Sequence, residues 1–341
     1  MKTLMLQGTF TAKTPISYVS PDASKGQLPR LNNRLYLTAT SIRSIVRHAA
    51  VEHMIDLSGS RPVLDDYYLM VNGGVMDAKA KEDLNVIQRL RYAQKHNPLV
   101  SLFGSMRYGV PGALYCGHAL ADPNATVHTF SFTRGNEFQR NPELVEKLDE
   151  NAWDDNQERN ESARARSQQK RKIAELVRAE RTARNEGDDA RLAELREQRA
   201  QAEQELEGMP TVSDQQIQNY PCIAQDTVFE HQFILENVSD IEIALFMKAL
   251  DRVAMSPFIG GKRAHGLGRF AAQWAVRGRN KGERVMRDLG TLVIDGDLNP
   301  LQVAGEIETF LKDEWLEVPM RQGLFNLTEN GMREMVQAEA A

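Results

Sequence analysis

Hydrophobic and polar positions alternate from Thr3 to Ala12, which predicts a strand with one buried face. A loop rich in Pro, Ser and Gly follows, up to about Asn33. Thr38-Ala39-Thr40-Ser41 then opens a helix whose apolar positions Ile42, Ile45, Val46, Ala49 and Ile55 recur with helical period. The stretch from Ser58 to Arg107 is less regular, with one helix expected near Asp83 to His96. Leu114 to Leu120 and Val127 to Thr133 are candidate strands, the second placing Phe130 and Phe132 on one face. From about Asn156 to Glu207 Pro is absent and Gly187 is the only glycine, and the chain is dense in Ala, Arg, Glu and Gln. Ile173, Leu176 and Val177, then Leu192, Leu195 and Leu206, give a thin apolar stripe. The turn signal Asn185-Glu186-Gly187-Asp188 divides it, so a helical hairpin is expected. Past Pro221 the pattern sharpens into a strand from Val228 to Leu235 and a helix from Ile243 to Ala254, opened by the capping box Ser239-Asp240-Ile241-Glu242. Phe270, Ala272, Trp274 and Val276 alternate as a strand, Thr291 to Ile294 is a further short candidate, and Asn299-Pro300 predicts a last helix with Pro in its first position.

The well-marked elements run strand, helix, one or two strands, a long insertion, strand, helix, strand. That is the βαββαβ order of an α+β, ferredoxin-like (RRM-like) core with large insertions, including the helical hairpin. The expected organisation is 1–57 for the first half of the core, 58–112 for a finger-like insertion and 113–133 for core strands. Residues 134–221 form a thumb-like insertion with the hairpin at about 156–207, 222–278 the second half of the core, and 279–341 a C-terminal extension. Such a sheet carries both helices on one face and leaves the other open, the face on which RNA-recognition relatives bind RNA. Gly268-Arg269-Phe270-Ala271 is similar to an RNA-recognition aromatic motif but falls on the last strand, which makes it a core strand instead of a stacking platform.

Between the last core helix and the last core strand lies Gly260-Gly261-Lys262-Arg263-Ala264-His265-Gly266-Leu267-Gly268-Arg269. Its glycines permit positive φ and close approach, and its cations favour a phosphate. A Walker A loop is excluded, because Ser256 and Arg263 stand where it needs Gly and Ser or Thr. Gly266-x-Gly268-x-x-Ala271 fails as a dinucleotide fingerprint because a strand, not a helix, follows. Net charge is −5 over 341 residues, yet the charge is unevenly spread. Ala23 to Val51 holds Lys25, Arg30, Arg34, Arg43 and Arg47 with no acid, and Ser256 to Gly282 holds Lys262, Arg263, Arg269, Arg277, Arg279 and Lys281 with none. A solvated face normally mixes signs, so these stretches point to a nucleic-acid backbone. Arg159 to Arg184 is basic and Glu186 to Glu207 predominantly acidic; a solvated coiled-coil pair and a nucleic-acid role for the basic arm both fit. Cys116 and Cys222 are too few for a disulfide framework or a cysteine-rich zinc site, which fits a reducing cytosol; no secretory signal and no membrane-crossing run is read.

Three segments together resemble the RAMP superfamily of CRISPR-associated proteins. They are the helix start Leu37-Thr38-Ala39-Thr40-Ser41-Ile42-Arg43-Ser44-Ile45-Val46-Arg47, the Leu-Phe-Gly turn in Pro98-Leu99-Val100-Ser101-Leu102-Phe103-Gly104, and the glycine loop. The length and single-core layout look like the backbone subunit, and the Ser/Thr-rich helix start with the arginine-rich insertion is most similar to the type IV kind. The resemblance implies a cytoplasmic subunit that polymerises head-to-tail along CRISPR guide RNA and presents it to a complementary target, with DNA the expected one. It further implies other effector subunits, a helicase, no membrane and no cofactor or metal. RNA-binding residues implied are Arg30, Arg34, Ser41, Arg43 and Arg47, with Gly260, Gly261, Lys262, Arg263, His265, Gly266, Gly268 and Arg269 of the loop. Arg164, Arg166, Lys170 and Arg171 form a thumb-like basic arm. Ser41 is expected to donate to a phosphate beside free backbone N–H groups, unless it is an ordinary cap; one of Arg43 and Arg47 could instead pair with a carboxylate. Phe103 is expected in the core. Type III relatives cleave target RNA with an aspartate between the first strand and first helix; the matching place here holds Gly26 or Gln27, and Asp22 lies several residues early. A non-cleaving subunit is therefore expected, against a guide-directed endoribonuclease or a general RNA-binding assembly protein.

Overall fold

A computed structural model describes residues 1–18, 28–74, 86–133, 152–186, 188–209 and 217–332. The chain divides into two compact units, Met1–Thr129 with Pro221–Ala341, and Phe130–Tyr220.

In the first unit, β1 (Lys2–Ala12) buries Leu4, Leu6, Phe10 and Ala12 and exposes Gln7 and Thr9, the alternation its sequence predicts. β2 (Ile16–Ser17), the hairpin of β3 (Arg30–Leu31) and β4 (Arg34–Leu37), and α1 (Ala39–Ser58) follow. The hairpin lies where a loop up to about Asn33 was expected. Its signal is Asn32-Asn33, both at positive φ, the left-handed pair that a two-residue hairpin turn requires. Thr38 caps α1, and Gly59 ends it in the left-handed conformation.

Among the described residues the 58–107 stretch holds three helices where one was expected: α2 (Leu64–Asn72), α3 (Val86–His96) and α4 (Pro98–Phe103). Asp83 lies outside the described residues. α2 escapes a periodicity search because its buried positions Leu69, Met70 and Val71 are consecutive. α4 is announced by chemistry, Asn97 accepting from Val100 N–H with Pro98 in the first turn. The strand expected at Leu114–Leu120 is two, β5 (Leu114–Cys116) and β6 (Ala119–Ala121), broken where Gly117 N–H turns to Gln232 O. β7 (Val127–Thr133) leads into the second unit, where α5 (Ala152–Glu186) and α6 (Asp189–Gly208) run antiparallel. Gln169 Nε2 donates to Ala202 O and to Glu205, and Arg199 reaches Glu180 and Glu203. β8 (Ile217–Ile223), absent from the sequence expectations, leads out and pairs with β2.

β9 (Val228–Val238) leads to α7 (Asp240–Ala254), whose capping box forms as expected: Ser239 Oγ accepts from Glu242 N–H and Glu242 accepts from Ser239 N–H. β10 (Phe270–Asn280), β11 (Arg287–Ile294) and β12 (Gln302–Ala304) complete the sheet. The helix expected from Asn299-Pro300 does not form. The Asp295 carboxylate collects the Asn299 and Gln302 side chains, Leu301 N–H goes to Asp251, and β12 joins β11 in the ladder. The next helix, α8 (Glu314–Arg321), begins later, after a 3-10 stretch at Glu306–Leu311.

The fold is mixed α+β with antiparallel sheets. The main sheet runs β12-β11-β10-β1-β9-β6-β4-β3, with β5 also on β9. One face carries Phe10, Phe233 and Trp274 into a core closed by α1 and α7, Phe246 meeting Phe233 at 5.3 Å. The other face presents Gln7, Thr9, Gln232 and Arg277.

Candidate nucleic-acid interface

The start of α1 is bonded to neighbouring side chains. Thr38 accepts from Ser41 N–H, the Tyr18 hydroxyl bonds Thr38 Oγ1 at 2.5 Å and Ser41 Oγ at 2.8 Å, and Thr38 N–H donates to Tyr18. Ala39 N–H donates to His118 Nδ1 at 3.0 Å. The expectation of free N–H groups beside Ser41 is thereby corrected: those of Thr38, Ala39 and Ser41 already have acceptors. Sequence separation hides these partners, because Tyr18 and His118 carry no periodic signal.

One turn further on, Arg43 and Arg47 behave differently. Arg43 Nη2 donates to Phe103 O at 2.7 Å, and Arg47 donates to Met70 O and Leu69 O with its guanidinium 5.7 Å from the Phe103 ring. Phe103 itself is buried. Neither arginine forms an ion pair with a described acid, so pairing with a carboxylate is replaced by bonds to backbone carbonyls. Gly112 makes room for this: a Cβ there would sit 2.5 Å from Arg43 Nη2.

Both arginines line a cleft of about 910 Å³ with Thr40, Ser44, Asn72 and the 104–112 loop. None of its lining residues is acidic. Burial lowers the Arg43 pKa, and burial followed by repulsion from Arg43 pulls Arg47 down to about 10. Two partly desolvated cations that share a cleft without a counter-charge make a site that an anion would stabilise. The first-helix and Leu-Phe-Gly segments, about sixty residues apart in sequence, meet here.

The glycine loop is tied at its neck, Ile259 N–H donating to Gly268 O, and docked on 15–17 through Gly268 N–H to Pro15 O and Gly261 N–H to Ser17 O. Gly260 and Gly268 have positive φ, and a Cβ at either would collide with a carbonyl oxygen, Ser17's and Ile259's respectively. These two glycines serve backbone packing. Gly266 closes the 3-10 turn Arg263–His265, and Leu267 anchors the loop in the core. Lys262, Arg263 and His265 project as exposed side chains; Arg263 stacks over Phe258 at 4.4 Å and bonds Ser256 Oγ. Arg269 is half-buried, with Asp297 3.9 Å away.

The segment Ser17-Tyr18 touches both basic stretches, accepting from the glycine loop through Ser17 O and bonding the start of α1 through the Tyr18 phenol. Arg30 lies on the β3 edge and donates to Asn33 O. Arg34 is spent on the sheet, donating to Ala121 O and pairing with Glu230 at 3.2 Å. In the second unit Arg164, Lys170 and Arg171 are exposed on α5, while Arg166 donates to Met209 O. Asp22, Gly26 and Gln27 lie outside the described residues. Among the described residues no three His, Cys, Asp or Glu side chains gather as a metal-binding group, and no helix is long and apolar enough to cross a membrane.

The chain matches no protein-family model and no curated protein.

Proposed function

We propose that this chain is the backbone subunit of a CRISPR ribonucleoprotein effector complex of the RAMP kind, most like type IV. It grips guide RNA by its phosphates and presents the bases for pairing with target DNA. The observation that carries the proposal is the acid-free cleft with its two uncompensated arginines, Arg43 and Arg47. Its position supports the same reading, since α1 is also joined through Tyr18 and Ser17 to the exposed cationic tip at Lys262–His265. The strand order β10-β1-β9-β6, with α1 between β1 and β6 and α7 between β9 and β10 in the chain, supports the reading of a ferredoxin-like βαββαβ core.

In this role the cleft and loop neutralise successive phosphates, while base pairing supplies sequence recognition. Arg43 and Arg47 are pre-oriented by their carbonyl bonds, so little side-chain entropy is lost on binding. Copies stack head-to-tail along the RNA, other effector subunits and a helicase complete the particle, and the subunit itself does not cut.

The test is the salt dependence of single-stranded RNA binding in Arg43→Ala and Lys262→Ala. Each lost phosphate contact lowers the slope of log K against log salt by about 0.7. An unchanged slope in both folded variants contradicts the proposal.

A further inference from the structure

We propose that the open face of the main sheet carries a nucleobase pocket for single-stranded RNA, walled by Tyr115 and His118 and separate from the arginine cleft. The inference rests on the RNA-binding part of the proposed function, and adds to it a place where a base, as distinct from a phosphate, is held.

A depression of about 780 Å³ lies over β1, β9 and β10, bounded by the β5–β6 break. That is within the range of small-ligand sites, about 300–1,000 Å³. Its wall is Tyr115, 54% exposed although its strand neighbours Leu114 and Cys116 are buried. Gly117 and Ala275 leave the floor low. An aromatic ring held on a rigid strand and offered to solvent is the device by which sheets stack bases. Tyr115 is opposite Ile234 in register, so its backbone is fixed.

His118 supplies a directed donor. Its Nδ1 accepts from Ala39 N–H, which places the proton of the neutral ring on Nε2, and the ring packs edge-on against Tyr36 at 5.1 Å. Across the pocket Gln7 and Gln232 offer amides, Arg277 being fixed by its bond to Gln7 Oε1 at 3.0 Å. Arg279 lies two residues along the same strand and Asp288, opposite Arg277, is turned to Gly290 N–H.

Among the described residues that line the pocket, Glu230 is the carboxylate, and it bears on the ligand class. It is held by Arg34 and offers only acceptor oxygens. Those oxygens can accept from a base amino group or a ribose 2′-hydroxyl but have nothing to donate to an ionised phosphate; the hydroxyl favours RNA over DNA. An added peptide strand does not fit, because the backbone groups of β1, β9 and β10 are already paired on both sides.

The experiment uses the full chain and a labelled RNA decamer of mixed sequence, with a DNA decamer of the same sequence alongside. Tyr115→Ala is expected to weaken RNA binding about 10-fold, the scale of one lost base stack, with the salt slope unchanged, and Tyr115→Phe to restore it. Weakening by Arg43→Ala with none by Tyr115→Ala overturns the pocket and leaves the proposed function standing. Weakening by Tyr115→Ala with none by Arg43→Ala supports the pocket and removes the cleft. DNA bound as tightly as RNA and equally dependent on Tyr115 overturns the RNA assignment, and no binding of either strand overturns the inference outright.

Discussion

His231 gives a stability prediction whose size follows from its surroundings. It is 4% exposed beneath the open-face pocket, enclosed by Phe10, Phe233 and Trp274, with ring centroids at 4.9, 4.5 and 6.3 Å. Trp274 Nε1 donates to His231 Nδ1 at 3.3 Å, and Nε2 faces Cys116 Sγ at 3.6 Å. Burial pushes the imidazole down to about 3 from its ordinary 6.5 and pushes the Cys116 thiol up to about 12, so both are neutral in the native state at pH 7. Below pH 6.5 the unfolded chain binds a proton that the native state refuses, so stability falls as the solution is acidified towards pH 3. Between pH 7 and pH 5 the loss from this one group is about 2 kcal/mol. Urea unfolding followed by tryptophan fluorescence at pH 7, 6 and 5 measures it. His231→Gln keeps an acceptor for Trp274 and cannot titrate, so it should lose about 2 kcal/mol less than the wild type over that interval. Equal losses in the two proteins would refute the reasoning.

Glu242 is fully buried, accepting from Ser239 N–H at 2.7 Å, from Ser239 Oγ at 2.8 Å and from Ser101 Oγ at 2.5 Å. Glu242→Ala strands these donors and unlinks α4 from α7, costing about 3–5 kcal/mol in denaturant melts; a cost below about 1 kcal/mol contradicts the network. Gly268→Ala forces a Cβ against Ile259 O at φ +88°, so it should destabilise the folded chain by about 2–4 kcal/mol, whereas Gly282→Ala, with nothing within 4 Å, should cost less than half as much.

Strand β1, the α7 capping box and the hairpin helices are legible in the sequence because each is set by local pattern or local chemistry. β12 is not: Asn299-Pro300 satisfies the local rule for a helix start, but the side-chain bond of Asn299 to Asp295, the long-range bond of Leu301 N–H to Asp251 and pairing with β11 override it. The site divides similarly. The acid-free stretches and the pairing of Arg43 with Arg47 on one helix face can be read directly. Their acceptors cannot, since Phe103, Met70 and Leu69 offer main-chain carbonyls that any residue would supply. The four glycines of the loop looked alike in the sequence. In the fold, Gly260 and Gly268 answer to steric contact with backbone and Gly266 to a turn. Tyr115 gave no signal, because an exposed aromatic on a short strand is distinguished only by the neighbours that leave it uncovered.

The central claim is that copies of this chain assemble on guide RNA through the arginine cleft and the loop. It is tested most directly by light scattering of the purified protein, alone and with a CRISPR guide RNA. The account predicts a particle of many subunits with RNA, growing with guide length, and its loss in Arg43→Ala combined with Lys262→Ala. The same small species with and without RNA would contradict it.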